Sequence, residues 1–139
     1  VTEETAAPSE GLAGMRDTVT VRLPAASAYL SVLRTATAGL AARLDFTLDE
    51  IEDLRIAVDE ACAMLLRQAV PGTDLTAEFE LTGDEMSVRV AVETVEPQDL
   101  KRDDFAWMVL TALADYVEAV TDKDLAIVLR KRRGAARPA

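Results

Sequence analysis

Between Thr47 and Gly72 the chain carries a helix whose two ends are both written in its residues. Thr47-Leu48-Asp49-Glu50 predicts a capping box, in which the Thr47 hydroxyl and the Glu50 carboxylate each satisfy a free backbone N–H, with Phe46 stapled to Ile51. Asp49, Glu50 and Glu52 complement the positive end of the helix dipole. Ile51, Leu54, Val58, Ala61, Cys62, Leu65 and Ala69 then form one apolar stripe, and Pro71-Gly72 stops it. A stripe of that length needs an apolar layer opposite, so the rest of the chain must supply one. Asp53, Ile56, Glu60, Met64 and Arg67 share the other face. Ile56 and Met64 are too apolar for open water, which predicts partial cover by the fold, a ligand or a partner.

The flanking segments predict that layer. Thr18 to Leu23 alternates as a half-buried strand that Pro24 ends. Leu30, Leu33, Thr37, Leu40 and Leu44 mark a first helix, which contains the costly Gly39. Leu75–Leu81 and Met86–Val92 read as a hairpin about Thr-Gly-Asp-Glu. After a polar loop over 94–104, Asp103 or Asp104 can cap a third helix from Phe105 to about Tyr116, and Val117–Val120 with Leu125–Leu129 make a last hairpin. The order βααββαββ predicts an α+β two-layer α/β sandwich, its sheet mainly antiparallel or mixed, with three helices on one face. The 139 residues suit one domain: a disordered leader over 1–16, a globular body over 17–133 and a basic, flexible tail over 134–139.

Charge and composition remove whole classes of chemistry. With no histidine, imidazole triads and most zinc sites are excluded, and no metal site is expected. A single cysteine, Cys62, cannot close an internal disulfide, and its place on the apolar stripe marks it as core. No apolar run approaches the roughly 20 residues that span a bilayer, and no signal peptide opens the chain, so a cytoplasmic protein with no membrane partner is expected. Fifteen basic against 25 acidic residues leave a net charge of −10, which argues against direct nucleic-acid binding. Asp45 to Glu60 holds seven acids against Arg55, a net of −6, whereas Arg130, Lys131, Arg132, Arg133 and Arg137 make the C-terminus basic. A basic protein partner fits the acidic stretch.

The residues from Leu54 to Met64, LRIAVDEACAM, resemble the second helix of bacterial anti-sigma factors and switch-protein kinases related to RsbW, in the GHKL ATPase superfamily. Leu33-Arg34, the Asp45 to Glu50 entry to helix two, Leu113-Ala-Asp-Tyr-Val117 and the Phe105 to Asp115 run extend the likeness over most of residues 18–130. Within the family the run from Phe105 is most similar to actinobacterial members that restrain a sigma-F-like factor. The resemblance implies a Bergerat-type (histidine kinase-like ATPase) fold, ATP·Mg as cofactor and, often, a homodimer. It implies two partners as well, an alternative sigma factor that the protein holds and an anti-anti-sigma factor of the STAS type that releases it. Active members phosphorylate a serine of that antagonist.

The resemblance places Glu60 at the general-base position of the nucleotide site and Met64 where the family has a metal-reaching Asn. A thioether is a poor Mg²⁺ ligand. The family's two glycine boxes have no counterpart, since no glycine occurs between Gly83 and Gly134, and Phe105-Ala-Trp-Met stands where the second should be, its bulky side chains expected to fill or cap the cleft. The reading is therefore weighted toward sigma binding without catalysis, with no cofactor unless the cleft retains ATP and Mg. An active ATP·Mg-dependent serine kinase is the alternative. Arg34 matches the family's partner-contacting arginine, and Asp45, Asp49, Glu52 and Asp53 are the acidic candidates for partner binding.

Overall fold

The computed structural model describes residues 16–100 and 104–134. Strand β1 (Arg16–Pro24) is followed by a single 3₁₀ turn (Ser27–Tyr29), helix α1 (Leu30–Arg43) and helix α2 (Leu48–Leu66). Strands β2 (Asp74–Thr82) and β3 (Glu85–Val92) form a hairpin, α3 spans Asp104–Leu113, and β4 (Tyr116–Thr121) and β5 (Leu125–Arg132) form the last hairpin. The result is α+β, with a five-stranded sheet in the order β1-β2-β3-β5-β4 and every neighbouring pair antiparallel.

Period-two alternation sets the register, and the register stacks the apolar side chains in rows. Val19, Phe79, Val88, Leu129 and Val117 face one another across all five strands, as do Val21, Ala77, Val90, Ile127 and Ala119. The central members of both rows are fully buried. Helix α2 lies over β3 and β5, flanked by α1 and α3, and buries Leu54, Ala57, Val58, Ala61, Cys62 and Leu65. Together the helices cover one face of the sheet, a two-layer sandwich.

The α2 entry is built as its residues dictate. Thr47 Oγ1 accepts from the Glu50 backbone N–H at 3.1 Å, while Glu50 Oε1 accepts from the Thr47 N–H at 2.8 Å. The preceding turn is a Schellman closure of α1: the Phe46 N–H reaches the Ala41 carbonyl and the Asp45 N–H reaches that of Ala42. Asp45 takes the left-handed position this closure requires, at φ 61°, one that Asp tolerates better than most side chains.

Three boundaries differ from expectation. The chain makes a 3₁₀ turn before α1, and α2 ends at Leu66 rather than near Ala69. Helix α3 stops at Leu113 rather than near Tyr116, because the Asp115 N–H is taken by the Arg130 carbonyl and the chain joins the sheet. Arg16, counted in the leader expected over 1–16, is the first residue of β1, while the rest of that leader, Asp103 and residues 135–139 of the tail expected over 134–139 lie outside the described residues.

Candidate functional site

A cleft of about 580 Å³ opens at the C-terminal end of α2. Its walls are the last turn of α2 and the turn after it (Met64, Arg67, Gln68, Pro71) and the loop after β3 (Thr94, Val95, Glu96, Gln98, Asp99, Leu100). Gln68 ties the two walls together: its side-chain amide donates to the Gln98 carbonyl at 3.3 Å, and its Oε1 accepts from the Gln98 N–H at 2.7 Å. The Val70 N–H adds a bond to the Glu93 carbonyl at 2.9 Å. Met64 and Leu100 in these walls are 2% and 4% exposed.

The helical wheel of α2 put Met64 on the outer face with Ile56, yet the two have different fates. Met64 is core, whereas Ile56 is 42% exposed. Glu60, one turn before Met64, is half-buried, makes no ion pair among the described residues and does not line the cleft. Phe105, Trp107 and Met108 are not among the residues that line this cleft. Phe105 and Met108 point to solvent at 76% and 64% exposure, and Trp107 packs partly on the core. Among the described residues, the charged groups of the cleft walls are Arg67, Glu96 and Asp99.

On the outer face of the α1–α2 pair, Arg34 Nε donates to both carboxylate oxygens of Asp59, at 3.0 and 2.7 Å. Both side chains are more than one-third exposed, so the pair contributes at most about 1 kcal/mol to stability. Behind it lies Cys62, buried, its thiol pushed up to about 12 first by burial and then by the Asp59 charge, with Arg34 opposing. Sequence reasoning picked out Arg34 but not Asp59, because 25 residues separate them and neither helix pattern reports on the other.

The acidic candidates divide. Asp45 and Asp49 are exposed and have no ion-pair partner among the described residues. Glu52 pairs with Arg55 at 2.7 Å, and Asp53 lies 3.6 Å from Lys131 Nζ. The basic C-terminus supplies that lysine and more. Arg133 Nη1 donates to the Leu44 carbonyl at 2.8 Å and the Gly134 N–H to Glu50 Oε2 at 2.7 Å. Glu50 is thereby held below its ordinary carboxylate value, first by the Thr47 backbone N–H, against some desolvation, and then by that of Gly134. Arg130 stacks over the Tyr116 ring at 4.5 Å. The opposite charges of α2 and the C-terminus, read separately in the sequence, thus meet inside the fold.

A "Serine-protein kinase RsbW" of Listeria monocytogenes (serovar 1/2a) is 30% identical over 141 residues, covering 86% of this chain and 90% of that protein. The chain belongs to the RsbW family. An RsbW kinase from a serotype 4a strain of the same species is 39% identical over 83 residues. The "Anti-sigma-F factor RsbW" of Mycobacterium tuberculosis is 36% identical over 93 residues, 67% of this chain. In these two matches the RsbW-family chain spans about half the length of the relative, 53% and 55%. No family model matches the chain. Among the described residues no helix is long and apolar enough to cross a membrane.

Proposed function

We propose that this RsbW-family chain is a cytoplasmic anti-sigma factor that sequesters a sigma-F-like factor by surface contact and yields it to an anti-anti-sigma antagonist of the STAS type, its nucleotide site degenerate. The observation that carries the reading is Met64. It stands four residues after Glu60, where the family motif calls for an Asn, and it is built into the core at the cleft wall. A thioether gives Mg²⁺ none of the hard oxygen donors it demands. A triphosphate entering the cleft would meet both Glu96 and Asp99 among the described residues, with no glycine in the loop after β3 to wrap it. Phosphoryl transfer depends on positioned phosphate and metal contacts, so the chain is read as a binding protein.

Arg34 and the unpaired acids Asp45 and Asp49 would face the sigma factor, with Glu52 and Asp53 contributing to the field that steers a basic partner. Direct nucleic-acid binding is disfavoured because Lys131 and Arg133 are engaged within the fold and Arg130 is stacked on Tyr116. Assembly as a homodimer follows the family pattern. Residues 17–133 would be the functional unit.

The test is calorimetric titration of the purified chain, first with a sigma-F-type factor and then with ATP·Mg. Tight sigma binding that is lost on adding the unphosphorylated antagonist, with no heat from ATP·Mg, is the expected result. Micromolar ATP·Mg binding together with transfer of phosphate to the antagonist would replace this reading by that of an active serine kinase, the activity in the Listeria relatives' names.

A further inference from the structure

We infer that Asp59 is a positioning residue for partner recognition: it grips Arg34 by Nε alone and thereby presents the two terminal guanidinium nitrogens as a ready-made fork for a carboxylate on the partner. The inference rests on the reading of Arg34 as a partner-contacting residue. Its geometry is independent of that reading. Both bonds from Arg34 to Asp59 leave Nε, at 3.0 and 2.7 Å, and Nη1 and Nη2 have no acceptor among the described residues. Guanidinium has five N–H donors in a fixed plane, and the Nη pair matches a carboxylate in bidentate fashion.

The surroundings specify the partner segment. Asp59 shares its helical face with Ile56 and Ala63, both exposed. Arg34, held by Asp59, is therefore a cation presented next to a helix, α2, that is mainly acidic and exposes Ile56 and Ala63 on the Asp59 face. A segment that carries one acidic side chain flanked by apolar residues satisfies this surface, whereas a uniformly basic or uniformly acidic segment does not. Because Asp59 has already restricted the arginine side chain, ordering costs less at the moment of binding. Immobilising such a side chain costs about 0.5–1.5 kcal/mol, or roughly 2- to 12-fold in affinity.

The experiment measures binding of a sigma-F-type factor to the wild type and to Arg34→Ala, Arg34→Lys, Asp59→Ala and Asp59→Asn, each first checked for an unchanged thermal transition. Arg34→Ala should weaken binding more than Asp59→Ala, which should lose about 2- to 12-fold, mostly in dissociation rate. Asp59→Asn makes the same change in net charge but keeps an oxygen for Nε–H, so it should stay close to wild type. Arg34→Lys should fare no better than Arg34→Ala, because one ammonium cannot both satisfy Asp59 and offer a planar fork. If Arg34→Ala weakens binding while Asp59→Ala does not, or if Asp59→Ala and Asp59→Asn lose equally, the positioning role is wrong and the anti-sigma reading stands. If Arg34→Ala binds like wild type, the partner-facing assignment of Arg34 is wrong and the inference goes with it. A partner-free measurement separates the two: the Arg34 Nε–H should exchange slowly by ¹⁵N NMR in the wild type and fast in Asp59→Ala, and fast exchange in the wild type overturns the grip itself.

Discussion

Replacing Met64 by Asn restores the residue type that the family motif places four positions after the glutamate, and the structure sets what this does. A fully buried Met side chain is worth about 1.5–3 kcal/mol of transfer free energy, and Met64 is 2% exposed. The new amide adds about 1–3 kcal/mol if it finds no partner. The cleft beside it is open, so the second cost falls at its low end, and the total is about 2.5–4 kcal/mol. With a urea slope of roughly 1–3 kcal/mol per molar, the unfolding midpoint should drop by about 0.8–4 M at unchanged slope. Met64→Leu, which conserves volume, should cost less than about 1.5 kcal/mol. Calorimetry on the Asn variant should show no ATP·Mg binding, because the glycine boxes are still missing and the cleft still carries Glu96 and Asp99. An unchanged midpoint would refute the placement of Met64 in the core. Acquired ATP·Mg binding would refute the claim that more than one family element is lost.

Three further outcomes follow from other parts of the molecule. Gly39 lies in α1 where an added Cβ meets nothing within 4 Å, so Gly39→Ala should stabilise by about 0.5–1 kcal/mol, and a melting temperature that fails to rise would show that α1 is not regular there. Glu50 has its folded pKa depressed below the ordinary 4.5, so its contribution is present above the unfolded value and is lost as pH falls through the folded one. The stability gap between wild type and Glu50→Gln should therefore be widest near pH 7 and shrink as pH drops below about 4.5, and a gap constant down to pH 3 in urea titrations would contradict the bond network. Cys62, with its thiol pushed up to about 12 and its side chain buried, should resist a disulfide reagent at pH 8 in the native state and react at once in urea; rapid native labelling would mean that α2 opens locally.

Local signals carried most of the fold. The capping box at Thr47, the alternation of β2 and β3 and the turn at Gly83 all report on neighbours within a few residues, and all three are built as read. Ile56 and Met64 show where such reading stops. They sit on one helical face, but among the described residues the loop after β3 meets the C-terminal end of α2 at Met64, and Ile56 stays exposed while Met64 is core. Nothing in the helix sequence encodes where a loop at residues 94–100 will lie. The candidate site was legible in the same uneven way. Arg34 was marked by its motif, while Asp59, the Gln68–Gln98 clasp and the reach of Arg133 back to Leu44 depend on tertiary closure across 25, 30 and 89 residues.

The strand order has a consequence for how the chain is made. Strand β5 is the last element in sequence but lies between β3 and β4, so a chain emerging from the ribosome presents the apolar rows of β2 and β3 with one long edge unpaired until Leu125, Ile127 and Leu129 arrive. The α1–α2 turn waits equally long for Arg133 and Gly134. Translation must run almost to Gly134 before the sheet can close, and an open hydrophobic edge is the surface on which nascent chains aggregate or recruit chaperones. A synonymous codon change that slows the ribosome just before Leu125 should lower soluble yield without altering a single contact of the finished protein.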